Sequence, residues 1–285
     1  MKLATLRTGA TTVAVRVDER EVVEVDGFTD IGALLAHADW KAIARAASDV
    51  THPLDDITEE RWAPVVPNPS KIVCVGLNYR THSLEMGRDL PEYPTLFAKY
   101  PEALIGPYDA IVLPAYAAHA VDWEAEMAIV VGSRARRLTP GQAAESIAGY
   151  SILNDVTMRD FQYRTPEWFQ GKTFEATTPF GPVLVTPDEY HVDTDIRTEV
   201  NGEVLQHSNT GDLVFNPAAL VSYISQIVTL NPGDVIASGT PGGVGHARKP
   251  PRYLKAGDTL TTAIEGIGAL RNTMRIEPRP PALIE

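Results

Sequence analysis

The stretch Val121-Asp122-Trp123-Glu124-Ala125-Glu126-Met127-Ala128-Ile129-Val130-Val131-Gly132 decides the fold. Its second half, Met127 to Val131, is apolar without polar alternation. It therefore predicts a strand covered on both faces rather than an edge strand with one wet side. Side chains two residues apart on a strand share a face, which sets Glu124 and Glu126 side by side. Two neighbouring carboxylates out of water repel each other and lose solvation unless a positive charge lies between them. A divalent cation meets that need. Asp155 ends a second apolar run, Tyr150-Ser151-Ile152-Leu153-Asn154-Asp155. Alone it reads as a turn or cap residue; beside the pair it becomes a third oxygen ligand. Carboxylates with no His or Cys among them form a hard site, suited to magnesium, manganese or calcium.

Outward from this stretch, the chain reads as β-rich. Leu3–Arg7, Thr12–Val17 and Glu21–Val25 predict a small antiparallel meander, followed by a helix over Ile31–Ala47. Pro64, Pro67 and Pro69 mark an extended linker, so a small N-terminal α+β domain and linker (1–69) precede a larger domain (70–285). In the larger domain, Lys71–Val75 predicts a buried strand. Thr139-Pro140 opens a short helix to about Ala148, and Asn201-Gly202 marks a hairpin turn. Asn216-Pro217 opens a helix with Leu220, Val221, Ile224, Ile227 and Val228 on one face. Strands are expected at Val235–Ser238 and Leu260–Ile264. Many short strands, few helices and no βαβ alternation place the chain in the α+β class, with antiparallel or mixed sheets.

The totals exclude several functions. The chain has 285 residues, 44% of them apolar, enough for a large core. A formal charge of -12 argues against nucleic acid or an anionic membrane as a partner. Cys74 is the only cysteine, so neither an internal disulfide nor a thiolate zinc site can form. The N-terminus lacks the apolar core of a secretion signal, and no apolar run approaches the ~20 residues needed to cross a bilayer. A soluble, cytoplasmic protein is expected.

Three further clusters carry chemistry. In Asn78-Tyr79-Arg80-Thr81-His82-Ser83-Leu84-Glu85, a helical turn would put His82 and Glu85 on one face. A carboxylate on imidazole fixes its tautomer and raises its basicity, making a base for water. Such pairs are common on surfaces, and this one specifies nothing by itself. Lys172, in Gly171-Lys172-Thr173, reads by default as a solvated charge; near an acid-bound metal it could hold an anionic group or a developing oxyanion. Ser238-Gly239-Thr240-Pro241-Gly242-Gly243-Val244-Gly245 is a glycine loop whose amides could approach an anion. Alone it is only a sharp turn, and its spacing is not that of a dinucleotide fingerprint.

Taken in order, these segments resemble the fumarylacetoacetate hydrolase family. The matching pieces are Val75–Tyr79 with His82 and Glu85, Asp122–Glu126, Asn154–Asp160, Gly171–Thr173, Asn201–Glu203 with Gln206 and Ser208–Thr210, and Gly239–Gly245. Together they span Lys71 to Met274. The resemblance implies a β-rich roll that holds Mg2+ or Mn2+, and a homodimer. By matched position it implies Glu124, Glu126 and Asp155 as metal ligands and His82 and Glu85 as the dyad of a lid. Arg159, Gln162 and Lys172 match substrate and oxyanion contacts, and Thr240 a substrate-binding threonine.

The family implication is an enzyme acting on a small 2-oxo acid. The first expectation is hydrolysis of a carbon–carbon bond in a 2,4-dioxo acid, an acylpyruvate such as fumarylpyruvate. His82 would activate water, Lys172 with Gln162 or Arg159 would hold the oxyanion, and the cation would hold the charge of the departing pyruvate enolate. The alternatives keep the same metal site: an oxaloacetate-type decarboxylase, or an isomerase of aromatic catabolism. A metal-stabilised binding protein without catalysis is the non-enzyme alternative. The distal part of the substrate is expected to meet Arg88, Tyr93 and the region Tyr163–Trp168.

Overall fold

The structure, a computed structural model, describes residues 1–81 and 89–277. Its largest sheet runs in the order β4 (Thr51–Pro53), β3 (Glu21–Glu24), β2 (Thr11–Val17), β1 (Lys2–Thr8), β13 (Thr178–Val185), β11 (Ile147–Asn154), β10 (Ala125–Val131), β16 (Val235–Ala237), β5 (Ile72–Gly76) and β6 (Thr95–Lys99). β7 (Leu104–Ile105) pairs with β13 off this path. A second sheet runs β15 (Glu203–Asn209), β14 (Asp195–Val200), β17 (Thr259–Ile264), β18 (Gly268–Ile276), β8 (Ile111–Leu113). β9 (Val121–Asp122) pairs with β12 (Thr157–Met158). All pairs are antiparallel except β5–β16, β7–β13 and β8–β18. The helices with described bounds are α1 (Ile31–Leu35), α2 (Trp40–Ala46), α3 (Pro140–Glu145), α4 (Arg159–Gln162), α5 (Phe169–Lys172) and α6 (Pro217–Ile227). Mixed, mostly antiparallel sheets with few helices match the expected class. No helix among the described residues is long and apolar enough to cross a membrane.

Every residue of β10 is buried, as its unbroken apolar run predicts. Met127, Ile129 and Val131 pack in one cluster with Leu220, Val221 and Ile224 of α6. Ala128 and Val130 pack in another with Leu34 of α1 and Trp40 and Ala44 of α2. A fully buried side chain of this size contributes about 1.5–3 kcal/mol, so β10 is the axis on which both layers are anchored.

The N-terminal meander forms as expected, and β1 continues the large sheet by pairing Lys2 with Val185 and Leu3 with Leu184. Asn201 and Gly202 both lie at positive φ between β14 and β15, as the hairpin signal requires. Four local differences have physical causes. The run from Val121 is not one strand: it breaks at Trp123 and Glu124, because β9 pairs with β12 while β10 joins the large sheet. The helix expected over Ile31–Ala47 is two, with Asp30 capping the first through Ala33 N–H and the ring of His37 edge-on to Phe28 at the break. The helix opened by Thr139 has a full capping box with Gln142 but ends at Glu145, where β11 takes the chain into the sheet. On α6, Leu220, Val221 and Ile224 are buried, but Ile227 is 61% exposed and Val228 lies beyond the helix.

Candidate active site

The break at Trp123–Glu124 is what assembles the site. β10 pairs Ala125 with Asn154 of β11. One step earlier, Asp155 N–H donates to Glu124 O at 2.9 Å, and Glu124 N–H donates to the Asn154 side-chain oxygen at 3.0 Å. These bonds hold Glu124 beside Asp155 at the end of the ladder, while Glu126 projects from the strand itself. Carboxylate oxygens of Glu124, Glu126 and Asp155 lie within 4.8 Å of one another, and all three residues are buried.

Cations flank this cluster. Lys172 of α5 is 2% exposed and reaches Glu124 Oε2 at 2.7 Å and Asp155 Oδ2 at 2.8 Å. It is not the solvated lysine that composition favours. Lys99, at the end of β6, reaches Asp155 Oδ1 at 2.7 Å. Arg159 of α4 donates to Asp122 Oδ2 at 2.8 Å and Gln162 Oε1 at 2.9 Å, and forms an ion pair with Glu124 Oε1 at 2.7 Å. Glu126 alone among the acids makes no ion pair within the described residues; its Oε2 accepts only the Gly239 N–H, at 2.8 Å.

The electrostatics follow. Burial raises the Glu126 carboxyl well above the usual carboxylate range, and the charges of Asp155 and Glu124 add to it. For Asp155, burial pushes upward, but the charges and hydrogen bonds of Lys172 and Lys99 outweigh it and hold the group low. Lys172 loses solvation, yet Asp155 and Glu124 raise it above the ordinary lysine value, so it stays charged. Among the described residues, Glu126 is therefore the acid of the cluster whose ionisation no cation offsets by direct pairing.

The glycine loop was expected to bring amides to an anion; the anions are the site's own carboxylates. Gly239 N–H holds Glu126, while Gly245 N–H and His246 N–H hold Asp122 at 2.7 and 2.9 Å. Gly239 has φ +99, and a Cβ there would sit 2.9 Å from both Val75 O and Asn78 Cβ, so only glycine fits. Gln206 of β15 ties this loop to the strand: its oxygen accepts Ala125 N–H at 3.0 Å and its nitrogen donates to Thr240 Oγ1 at 2.8 Å and Pro241 O at 2.9 Å. Because Thr240 accepts that bond, its own hydroxyl proton is left to donate elsewhere.

A cavity of about 470 Å³ opens above the cluster. Glu124, Glu126, Arg159, Gln162, Lys172 and Thr240 all line it. The side-chain nitrogen of Gln162 has no hydrogen-bond partner among the described residues, its oxygen being held by Arg159. Phe97 and Trp168, edge to face at 5.4 Å, supply an apolar wall. Leu77, also on the wall, holds the left-handed conformation at φ 58, a strained state for a side chain with a Cβ.

Seven of the nine expected site residues thus converge. His82 and Glu85 lie outside the described residues, as does Arg88. Tyr163 and Trp168 line the cavity, whereas exposed Tyr93 packs near Tyr223, 6.3 Å between ring centroids. Sequence reasoning assigned no role to Lys99, Asp122, Asn154, Gln206 or His246. Asp122, Asn154 and Gln206 lay within the matched segments. Nothing in Thr95–Lys99 distinguishes Lys99 from a surface lysine.

Three buried carboxylates, one of them without a cationic partner among the described residues, fit a hard divalent cation. Glu124, Glu126 and Asp155 could hold one, with Lys172 and Lys99 beside it. The fold and the site together define a fumarylacetoacetate hydrolase-type enzyme. The family described as fumarylacetoacetate (FAA) hydrolase C-terminal matches residues 71–275, and the chain belongs to it. It is 40% identical over 235 residues to the rat protein named oxaloacetate tautomerase Fahd2a, mitochondrial, covering 81% of this chain and 74% of that one. Among solved structures, fumarylacetoacetate hydrolase from Exiguobacterium antarcticum superposes with a TM-score of 0.87 at 34% identity, covering 97% of this chain and 100% of that one. The 5-carboxymethyl-2-hydroxymuconate delta-isomerase of Mycobacterium smegmatis gives 0.80 at 34%, covering 97% and 100%. Maleylpyruvate hydrolase from Sphingobium sp. SYK-6, in complex with manganese (II) ion and pyruvate, gives 0.79 at 26%, covering 98% and 100%.

Proposed function

We propose that this enzyme binds a small 2-oxo acid at a divalent metal held by Glu124, Glu126 and Asp155 and interconverts its keto and enol forms, with oxaloacetate as the reference substrate. The observation that carries this reading is Glu126, a buried carboxylate without a cationic partner among the described residues, facing a cavity beside two paired acids. The likeness to an oxaloacetate tautomerase over most of both chains supports it. A bound Mg2+ or Mn2+ would act as a Lewis acid on the vicinal oxygens of the 2-oxo acid and stabilise negative charge that develops there.

The protein's own groups do the rest. Lys172, kept charged by Glu124 and Asp155, places a positive charge at the floor of the cavity. Gln162, its oxygen fixed by Arg159, offers its N–H, unpaired among the described residues, to an oxygen that gains charge. Thr240 donates its hydroxyl proton to the substrate carboxylate. Keto–enol exchange removes a proton from carbon 3 and delivers one to the carbon 2 oxygen, with no change in composition. We assign to His82, paired with Glu85 as the family resemblance implies, the removal of the carbon 3 proton and, as its conjugate acid, the return of one to the carbon 2 oxygen. Phe97 and Trp168 give the cavity an apolar wall. The homodimer that the family resemblance implies is likewise a proposal, checked by light scattering.

A second reading is carbon–carbon hydrolysis of an acylpyruvate, favoured by the likeness to a maleylpyruvate hydrolase. The test follows the ultraviolet absorbance of the oxaloacetate enol with Mg2+ and with EDTA, and identifies products by proton NMR. Metal-dependent relaxation to the keto–enol equilibrium supports tautomerisation. Pyruvate with carbon dioxide would reassign the enzyme as a decarboxylase, and cleavage of acylpyruvates as a hydrolase. No metal-dependent change in any of these compounds would overturn the reading.

A further inference from the structure

Glu124, Glu126 and Asp155 each have one carboxylate oxygen already held by a fixed donor or cation. Lys99 Nζ donates to Asp155 Oδ1 at 2.7 Å. Arg159 pairs with Glu124 Oε1 at 2.7 Å, and Gly239 N–H donates to Glu126 Oε2 at 2.8 Å. The second oxygens are treated differently. Lys172 spans Glu124 Oε2 and Asp155 Oδ2, and Glu126 Oε1 has no hydrogen-bond partner among the described residues. Lys172 and Arg159 line the cavity, whereas Lys99 is 1% exposed and is not among the described residues that line it. No step above uses Lys99.

Sealed from the cavity, Lys99 acts on the site only through Asp155. Charge alone does not account for it. Lys172 already pairs with Asp155 at 2.8 Å, and a second buried ammonium on a metal ligand opposes an arriving cation. That opposition is, to first order, the same for any divalent ion. The hydrogen bond, by contrast, distinguishes between ions. With Oδ1 held, Asp155 has one oxygen left to offer, and Glu124 and Glu126 are limited in the same way by Arg159 and Gly239. Ca2+ takes roughly 6–8 oxygen ligands and often binds a carboxylate through both oxygens; Mg2+ needs near-octahedral positions, which single oxygens supply. Lys99 is anchored to hold its bond. Its backbone pairs with Ile72 of β5, the next residue is tied by Tyr100 N–H to Thr173 Oγ1 at 2.9 Å, and Nζ also donates to Val156 O at 3.4 Å.

We infer that Lys99 is a metal-selectivity residue: by holding Asp155 Oδ1 it restricts that carboxylate to a single metal bond, and so biases the site toward small octahedral ions, Mg2+ or Mn2+, and against Ca2+. It is a positioning residue, acting through Asp155 without touching substrate. The inference rests on the proposed metal site and adds to it which ion the site disfavours and by what contact.

Separate calorimetric titrations of the full chain with Mg2+ and with Ca2+ test it. Lys99→Met removes the donor and keeps a chain of similar length. In that variant the Ca2+-to-Mg2+ affinity ratio should rise at least about tenfold over the unsubstituted protein. The two ions carry the same charge, so loss of the ammonium by itself moves both affinities together and leaves the ratio in place. Lys172→Met is the control. It removes an equal charge from the other oxygen of the same carboxylate, and should move both affinities without moving the ratio. An unchanged ratio in Lys99→Met, or an equal shift of the ratio in Lys172→Met, would overturn the inference and leave the metal reading intact. A crystal structure of the unsubstituted protein loaded with Mn2+ gives a second measurement that does not depend on the variant folding. It should show Asp155 on the ion through one oxygen, with Lys99 still on the other; both Asp155 oxygens on the ion would overturn the inference. Failure of the unsubstituted protein to bind Mg2+, Mn2+ or Ca2+ would overturn the metal reading and this inference with it.

Discussion

Arg159 and Asp122 form a buried ion pair, Nε to Oδ2 at 2.8 Å, that joins the short helix α4 to the break before β10. Asp122 has no exposed surface and also accepts N–H groups of Trp123, Gly245 and His246. Removing one partner of such a pair leaves an uncompensated buried charge, a loss of about 3–5 kcal/mol. Asp122→Ala is therefore expected to destabilise the protein by that amount in urea unfolding and to abolish activity, although Asp122 is not among the proposed metal ligands. A loss below about 1 kcal/mol would mean that the pair does not organise the site.

Lys172 and Glu126 separate charge stabilisation from metal binding. Lys172→Met removes a cation from between two acids, so Mg2+ affinity should hold or tighten. Turnover should fall roughly 10²–10³-fold, the effect of losing one preorganised charge donor. Glu126→Gln keeps an acceptor for Gly239 N–H and should weaken Mg2+ binding at least about tenfold through loss of a charged ligand. Calorimetry beside steady-state kinetics distinguishes the two. Equal losses of Mg2+ affinity in both variants would contradict the division of roles.

The pH dependence of the metal-free protein has a defined sign. Glu126 holds its proton more tightly folded than unfolded, because burial and two neighbouring acids raise its carboxyl. The stability it contributes is fully present below the unfolded carboxylate value of about 4.3 and is lost as pH rises through its raised folded value. Asp155, held low, acts in the opposite sense and only on the acid side: its contribution is lost as pH falls through its depressed value. With EDTA present, the midpoint of thermal unfolding should fall as pH rises from mildly acidic toward neutral. Glu126→Gln should flatten that slope, and Mg2+ should restore stability at the higher pH. An identical slope in the variant would point to another group.

Gly239→Ala tests the glycine loop as a structural device. A side chain there meets Val75 O and Asn78 Cβ at 2.9 Å in a backbone conformation that disfavours a Cβ. A loss of about 1–3 kcal/mol is expected, together with weaker Mg2+ binding as the Gly239–Glu126 bond shifts. Retained stability and affinity would show that the loop tolerates the crowding.

Much of the site was legible because its signals are short-range. Paired acids inside an apolar run, a third acid at a strand end and a glycine loop each carry their chemistry in adjacent residues. Lys99 escaped because a lysine in a β-type run looks the same whether it faces solvent or Asp155, which is 56 positions away. By its own neighbours Lys172 reads as solvated for the same reason, and it is the family resemblance that assigned it to the site.

By itself the sequence determined that β10 is buried on both faces, that two carboxylates accompany it, and that hairpins and caps fall at Asn201-Gly202, Thr139 and Asn216. Periodicity and turn chemistry act between neighbours, so they can be read locally. Only the tertiary structure decided that the strand breaks at Trp123, that Lys99, Lys172 and Arg159 neutralise three acids and leave Glu126 without a cation among the described residues, and that His246 faces the cavity. Those outcomes depend on which distant charges meet away from water, where desolvation makes the unmatched charge costly.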